Sequence, residues 1–330
     1  IKALNWPAGA SYLEFAQIVP CVTYDELEPL IKSQMTNKNS ILSPDKVMFY
    51  ERTSGSGGTA KFIPYTKTYL KILNHLFLLW VDDLLHSSLR FRSAKTFLCV
   101  TPPLHHESAG RVQVGSNTDV DYVAPWLAPI IERFLAVPLA LHSVRESSTY
   151  RDLLSLYLLV AADLEILSLW SPSLWFATIE HFLDNRERLL SHLRSGTYIT
   201  EKRPWNFAPV SPSRLALLEE SQPNWQKVWP QLRLISCWAE AHAKPGADQL
   251  AALFPKAYLQ GKGLLATEAP VSLPWIAANA SLPFITDVFI EGEDLDDTRV
   301  YPLWEWRQDH CYSIIVSLPN FGDERGVANS

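Results

Sequence analysis

Apolar and polar positions along the chain follow two different periods, and their alternation predicts a mixed α/β fold. Apolar residues recur at helical spacing over Thr66–Leu89, whereas Lys95–Thr101 is a short, mostly apolar run that ends at a Pro-Pro pair. The first pattern is typical of a helix with one buried face and the second of a buried strand. The same patterns predict helices over Thr23–Lys32, Asp119–Leu135, Thr149–Ala162, Pro172–Leu193 and near Ala247–Leu253, and strands over Phe49–Arg52, Leu232–Cys237, Lys256–Gly261, Phe284–Glu291 and Cys311–Ser317.

Two boundaries in the middle of the chain carry specific signals. Ser171 is a candidate N-cap with Pro172 at the first helical position, and Gly196 follows the end of the same predicted helix. The polar, Pro-rich segment Thr200–Pro212 is then expected to be a loop.

The most apolar stretch, Leu153–Trp170, is predicted to be buried core. It contains Asp163 and Glu165 and is followed by a Ser-Pro pair, which a membrane-spanning helix would disfavour. We therefore expect no membrane partner.

Composition and charge argue against a nucleic-acid-binding protein and against a disulfide-rich or zinc-binding one. The 330 residues are 47% hydrophobic and carry a net charge of −6, with no run of Lys and Arg that would follow a phosphate backbone. A nucleic-acid partner is therefore not expected. The four cysteines, Cys21, Cys99, Cys237 and Cys311, lie far apart, which favours reduced thiols in a cytoplasmic protein over disulfides or a zinc site.

The strongest local signal for chemistry is the loop Thr53–Lys61, which is rich in Ser, Thr and Gly. Small residues let backbone N–H groups approach phosphate oxygens, and Lys61 adds a positive charge. The loop is not a Walker motif, because Phe62 follows the lysine where Ser or Thr is required, and it lacks the last glycine of a Rossmann motif. A surface linker is the alternative interpretation.

The segment Glu51–Thr66 resembles the ATP loop of the GH3 family, the acyl acid–amido synthetases of the adenylate-forming superfamily. Ser56 and Gly57 stand where that family usually has Thr and Ser. Further segments resemble the family in the same order: Phe15–Pro20 with Thr23–Asp25 and Leu27, Gly115–Asp119 with Asp121 and Tyr122, His192–Gly196, and Trp225–Trp238.

A second family motif matches Gly263–Glu268. The resemblance implies that Thr267 faces the acyl-adenylate and that Glu268 helps to hold Mg²⁺, which prefers carboxylate oxygens. Leu264 departs from the family, where an aromatic residue often covers the nucleotide. Without the first motif, an ordinary strand end with one exposed acid would be the alternative.

The resemblance implies a ligase with ATP and Mg²⁺ as cofactors and an adenylate-forming domain of mixed sheets and flanking helices over residues 1–317. Residues 318–330 would be a tail or a remnant of the hinge and small C-terminal lid. The acid would first form an acyl-adenylate with release of pyrophosphate, and an amine or amino acid would then attack the activated carbonyl. Lys61 and Glu268 would be the catalytic residues, Glu268 would be the metal ligand, and the nucleotide would contact Thr53, Ser54, Gly55, Ser56, Gly57, Gly58, Lys61, Ala266, Thr267 and Glu268.

The acid is expected to bind between the long helix after the loop and the next core helix. Leu79, Asp82 and Trp170 are the candidate residues, with ordinary core packing as the alternative for each.

One family motif, Tyr-Arg-x-Gly-Asp, is not found in the sequence, and Gly322-Asp323 lacks the preceding Tyr-Arg. Either that region and the lid lie elsewhere in a longer protein, or the chain is a non-catalytic nucleotide- or acyl-binding relative. A ligase that passes the acyl group to coenzyme A or a carrier thiol is a further alternative.

Three other polar groups are weaker candidates. His105-His106-Glu107 lacks an apparent third metal ligand, and Asp294–Asp297 lacks the spacing of a calcium loop and is expected to be a solvated turn. His142 and Ser143 are not part of a hydrolase elbow motif.

Overall fold

A computed structural model describes residues 11–36, 41–53, 61–99, 107–109, 112–114, 128–201, 203–318 and 325–327. Ten α-helices lie within these ranges. They are α1 Tyr12–Ile18, α2 Tyr24–Thr36, α3 Lys67–His86, α4 Ala128–Phe134, α5 Ser147–Val160, α6 Ser173–Asp184, α7 Arg186–Ser195, α8 Pro212–Glu219, α9 Trp225–Val228 and α10 Lys244–Leu253.

A four-stranded parallel sheet forms the centre of the largest hydrophobic core. Its strands alternate with helices along the chain, so each connection can return over the sheet, as parallel pairing requires. Glu165 is fully buried beside it and accepts the backbone N–H groups of Arg92, Ser93 and Ala94 at 2.8–2.9 Å, which fixes the entry to the first strand. The sheet order is β11 Tyr258–Gly261, β10 Leu234–Cys237, β7 Ile166–Ser168 and β4 Thr96–Leu98.

A second sheet contains the antiparallel pair β2 Val47–Thr53 and β3 Lys61–Thr66. Its order is β3, β2, β6 Val112–Val114 and β5 Glu107–Ala109. Helix α3 begins directly after β3, where the Thr66 hydroxyl accepts the N–H of Tyr69 at 3.1 Å as an N-cap. Strand β3 and helix α3 are therefore joined without an intervening loop.

The remaining strands form one sheet and two hairpins. The sheet has the order β1 Cys21–Val22, β17 Arg325–Val327, β16 Tyr312–Ser317, β14 Phe289–Asp294 and β15 Val300–Pro302. The hairpins are β8 Thr197–Ile199 with β9 Pro204–Asn206, and β12 Ser272–Trp275 with β13 Ala280–Pro283. The hairpin β8–β9 corrects part of the expectation of a loop over Thr200–Pro212, because Pro204–Asn206 is a strand.

The predicted helix over Pro172–Leu193 is wrong in one respect, because the structure divides it into α6 and α7 at Asn185. The Asn185 side chain donates to the carbonyl of His181 at 3.0 Å and accepts from Arg188 at 2.9 Å. Asn side chains compete for backbone groups in this way and so favour helix ends. Gly196 confirms the predicted stop, since it adopts φ +70° directly after α7.

The predicted strand over Phe284–Glu291 is displaced, since β14 begins at Phe289. The residues before it form a turn. In this turn, a carboxylate oxygen of Asp287 lies 2.5 Å from Nδ1 of His75 on α3. Phe284 is buried and closes the β12–β13 hairpin through its N–H, which donates to Val271 at 2.8 Å. From the local pattern alone, the buried Phe284 could not be told from the first residue of a strand.

The other predicted elements agree with the structure within a few residues, although 119–127 of one predicted helix lies outside the described residues. The apolar stretch Leu153–Trp170 is buried, as expected, across α5 and β7. Among the residues that the structure describes, no helix has both the length and the apolar character needed to cross a membrane. Cys21, Cys99, Cys237 and Cys311 form no disulfide in the described part of the chain.

Candidate functional site

The hairpin β2–β3 places the two ends of the Gly-rich loop opposite each other. Thr53 and Lys61 are direct partners in the antiparallel register. The loop residues predicted between them, Ser54, Gly55, Ser56, Gly57 and Gly58, lie outside the described residues. The Thr53 hydroxyl is buried and has no hydrogen-bond partner among the described residues. Such an atom is costly to leave unsatisfied, so it is suited to a ligand or to the loop itself.

Lys61 is held at the start of β3 by an aromatic neighbour from α2. Its ammonium lies 5.2 Å from the centre of the Tyr24 ring, within the range of a cation–π contact. The Tyr24 hydroxyl also accepts the N–H of Phe62 at 2.8 Å. Tyr24 therefore fixes both the strand and the charged side chain, a role that its place in the sequence did not reveal.

The second predicted segment, Gly263–Glu268, folds into a tight antiparallel turn. Gly263 adopts φ +71°, and a Cβ atom there would lie 2.9 Å from the carbonyl oxygen of Ser272, so only glycine fits without strain. The N–H of Ala266 donates to the carbonyl of Ala269 at 3.1 Å. Thr267 and Glu268 therefore occupy the tip of the turn.

Two buried tyrosines connect this tip to the β3–α3 junction. The hydroxyls of Tyr65 and Tyr69 both donate to the backbone carbonyl of Thr267, at 3.1 and 3.0 Å. The two rings meet edge to face, with centroids 4.6 Å apart. The segments predicted from the two separate motifs thus lie against each other in the folded chain.

Glu268 and Lys61 lie within electrostatic reach of each other. Burial raises the pKa of the Glu268 carboxyl above its ordinary value, and the positive charge of Lys61 partly opposes that increase. The same carboxylate contributes, after burial, Tyr69 and Glu51, to a Tyr65 pKa well above its ordinary value. A partly buried carboxylate with a raised pKa is suited to binding a cation, because a nearby positive charge would stabilise its ionised form.

The three residues predicted for the acid do not form one group. Leu79 packs against the apolar cluster around Leu76 on α3. Asp82 is exposed on the same helix and pairs with His86 at 3.3 Å, so it points away from the interior. Trp170 lies at the carboxyl end of β7. Only Trp170 lies at an edge of the central sheet where a ligand could reach it.

Comparison with known proteins decides the family. The model of the GH3 family N-terminal domain matches residues 5–259, more than half of the chain. The chain belongs to the GH3 family. No curated protein matches it significantly in sequence.

Solved GH3 structures share the fold of the chain. It superposes on AtGH3.15 acyl acid amido synthetase, solved in complex with 2,4-DB, with a TM-score of 0.76 and 17% identity over 96% of this chain. A second GH3.15 acyl acid amido synthetase structure gives the same TM-score and identity over 98% of this chain. The chain spans 59% and 60% of the lengths of these two proteins.

The GH3 fold also brings together a group of which the sequence analysis identified only Trp170. Trp170, Trp238 and Lys262 directly follow or lie next to the carboxyl ends of β7, β10 and β11, and Trp80 of α3 lies beside them. We call these four residues the tryptophan–lysine cluster. A signal was present in the sequence for two members, since Trp238 directly follows the predicted strand Leu232–Cys237 and Lys262 directly follows the predicted strand Lys256–Gly261.

The structure describes only some of the weaker candidate sites named in the sequence analysis. His105 and His106 lie outside the described residues, as do Gly115–Asp119, Asp121, Tyr122 and Gly322-Asp323 of the resemblance. The solvated turn expected over Asp294–Asp297 is confirmed for 295–297, which are exposed, whereas Asp294 at the end of β14 is fully buried. Its carboxylate accepts from His310 at 2.8 Å and from Arg307 at 2.5 Å. The positive charge of Arg307 pairs with the Asp294 carboxylate.

Proposed function

We propose that this chain binds ATP and a carboxylic acid as the adenylate-forming part of an acyl acid–amido synthetase. One observation supports the proposal above the others. The tip of the Gly263–Glu268 turn, held by Tyr65 and Tyr69, lies within electrostatic reach of Lys61 at the exit of the Gly-rich loop. The two motifs are joined by hydrogen bonds between residues 202 and 198 positions apart in the sequence. Such proximity is what binding of one nucleotide by both motifs would require.

The residues present fit a nucleotide with its metal. Lys61 offers a cation for phosphate oxygens, and the buried hydroxyl of Thr53 offers a donor at the other end of the loop. Mg²⁺ is usually held by one or two carboxylates together with substrate phosphates, and Glu268 would be the carboxylate here. When bound, the metal would neutralise charge on the phosphates.

The chain's own residues would act by positioning and by charge. In the proposed first step, a carboxylate oxygen of the acid attacks the α-phosphorus of ATP and pyrophosphate leaves, so the enzyme must orient the two reactants and stabilise the developing negative charge. Lys61 would supply the opposing positive charge, and the hydrogen bonds from Tyr65 and Tyr69 to Thr267 would hold the turn in place. An amine or amino acid would accept the acyl group in a second step.

The test is ATP–pyrophosphate exchange by the protein across a panel of carboxylic acids. We expect exchange with at least one acid, and a loss of about 100-fold or more in Lys61→Ala and in Glu268→Ala, the size typical for removing one preorganised charge-stabilising group. Lys71→Ala and Glu180→Ala are matched controls, because both side chains are exposed on helices outside the site. Unchanged exchange in both site variants would refute the assignment.

Two alternatives have separate outcomes. A ligase that transfers to coenzyme A or a carrier thiol would show the same exchange but form a thioester when acceptors are compared. A non-catalytic relative is favoured by the lack of a Tyr-Arg-x-Gly-Asp string in the sequence. It would bind ATP without exchange for any acid.

A further inference from the structure

Tyr24 is held in place both by its backbone and by its ring. It is the first residue of α2, and the start of this helix is fixed by Glu26, whose carboxylate accepts the backbone N–H of Thr23 at 2.7 Å. The ring is partly buried and packs against two hydrophobic clusters, one that contains Tyr65 and one that contains Tyr50. This packing fixes the orientation of the ring relative to both clusters.

The hydroxyl of Tyr24 joins α2 to the strand that leaves the Gly-rich loop. In the described part of the chain, β3 is at the edge of its sheet, and an edge strand has backbone N–H groups without a partner in the sheet. Tyr24 supplies such a partner for Phe62, whose N–H it accepts at 2.8 Å. Lys61 directly precedes Phe62, so the same hydrogen bond fixes the backbone from which the lysine side chain extends.

The ring of Tyr24 also attracts the Lys61 ammonium, which lies 5.2 Å from the ring centre. This attraction comes from the negative face of the ring and needs no lone-pair acceptor. At most one of the three N–H groups then points at the ring, whereas a carboxylate in the same place would accept hydrogen bonds and neutralise the charge. Among the residues that the structure describes, none accepts a hydrogen bond from this ammonium.

Such a contact suits a lysine that has to meet phosphate oxygens. A lysine side chain in solution occupies many rotamers, and the loss of that freedom opposes the binding of a ligand that orders it. A ring that orders the ammonium beforehand removes part of this cost and leaves the positive charge available. Lys61 is also the register partner of Thr53, so its side chain starts where the two ends of the Gly-rich loop meet.

We propose that Tyr24 is a positioning residue whose ring holds the Lys61 ammonium, in the free protein and in the nucleotide complex, so that its charge is directed at the phosphates of ATP. The inference rests on the proposed function, which assigns the phosphates to Lys61. Tyr24 does not itself contact the nucleotide and acts only through the lysine. Its hydroxyl has a separate, structural part, which is to hold β3 at Phe62.

Calorimetric titration with Mg·ATP separates the two parts of the side chain. Tyr24→Phe keeps the ring and should bind within about twofold of the wild type, whereas Tyr24→Leu should bind about fivefold more weakly, equivalent to about 1 kcal/mol, as for a partly exposed cation–π contact. The loss should disappear in a Lys61→Met background, because the ring then has no ammonium to position. Tyr301→Leu is the matched control, since that ring lies 5.0 Å from the Arg307 guanidinium outside the site.

A series of fluorinated phenylalanines in place of Tyr24 tests the ring while keeping it packed. Fluorine withdraws electron density from the ring face and so weakens its attraction for a cation. We expect the affinity for Mg·ATP to fall from phenylalanine through its monofluoro and difluoro forms to the trifluoro form. Thermal unfolding shows which variants fold, and this series decides the question if Tyr24→Leu does not.

An equal loss from Tyr24→Leu with and without Lys61 would show that the ring acts only through the fold, and it would overturn the inference. Unchanged or tighter binding by Tyr24→Leu, or the lack of a trend with fluorine, would do the same.

ATP–pyrophosphate exchange separates the inference from the proposed function. A lysine-dependent loss of Mg·ATP binding in a protein that shows no exchange with any acid would leave the role of Tyr24 standing and refute the ligase. Exchange by the wild type, together with equal losses in both backgrounds, would do the reverse. Failure of the wild type to bind Mg·ATP would refute both.

Discussion

Tyr69 donates its phenolic hydrogen to the backbone carbonyl of Thr267 at 3.0 Å, although 198 positions separate the two residues in the sequence. Tyr69 lies in the first turn of α3, directly after the strand that leaves the Gly-rich loop. Thr267 lies at the tip of the turn that carries Glu268. This hydrogen bond therefore links the two segments on which the proposed nucleotide site depends.

We expect Tyr65→Phe and Tyr69→Phe each to lower the free energy of unfolding by about 1 kcal/mol, the usual net value of a hydrogen bond. The double variant should lose more than the sum, because the carbonyl of Thr267 then loses both of its tyrosine donors. Denaturant unfolding measures these differences. Tyr258→Phe is the control, since its hydroxyl bonds the exposed side chain of Asn279 at 2.8 Å. A control loss equal to that of Tyr69→Phe would contradict the special role of the buried pair.

Gly263→Ala is expected to destabilise the chain by about 1–3 kcal/mol, because it combines a left-handed backbone with a Cβ atom 2.9 Å from Ser272. Gly261→Ala is the matched control two residues earlier, where the nearest atom to an added Cβ lies 3.9 Å away. Thermal unfolding should show a clear fall in Tm for the first variant and a much smaller change for the second. Similar changes in both would mean that the turn is not fixed by Gly263.

Glu268→Gln is expected to stabilise the protein at neutral pH and to have little effect near pH 4. Burial raises the pKa of Glu268 in the folded chain above its ordinary value of 4.5, so the unfolded chain ionises first as the pH rises. The wild type therefore loses stability relative to the variant above that pH. Unfolding measured between pH 4 and pH 8 checks the sign. A stability difference that does not change with pH would show that the carboxyl is not perturbed.

Asp152→Asn is expected to cost about 1.5–3 kcal/mol, the usual contribution of a hydrogen bond to a charged group. Asp152 is buried and accepts from Arg188, from His181 at 2.8 Å and from Tyr198 at 2.8 Å. Burial alone would raise its pKa, but these donors lower the pKa below its ordinary value. Stability from this group is thus present above pH 4 and is lost as the pH falls.

Glu219→Gln is the control for Asp152, because Glu219 pairs with Arg194 on the surface at 2.5 Å with both side chains about half exposed. Exposed pairs contribute about 0–1 kcal/mol. If both substitutions had equally small effects on denaturant unfolding, the buried network would not be the stabilising element inferred here.

The pattern of apolar residues was enough to predict elements that bury one face along their whole length. The periodicity of Thr66–Leu89 predicted α3, and the short apolar runs predicted β10 and β11 within two residues, because burial of one face leaves a periodic trace. The same patterns failed where a distant residue decides the backbone. The turn at Asp287, where a strand was predicted, contacts His75, 212 positions away.

The sequence by itself determined the family and the presence of both motifs, since residue type and order carry that information. Only the tertiary structure decided that Lys61 and Glu268 lie within reach of each other, that Asp82 faces solvent, and that Lys262 enters a group of tryptophans. Each of these facts depends on how β3, α3 and the parallel sheet pack together. Contacts between segments 100 or more residues apart leave no spacing in the chain from which they could be read.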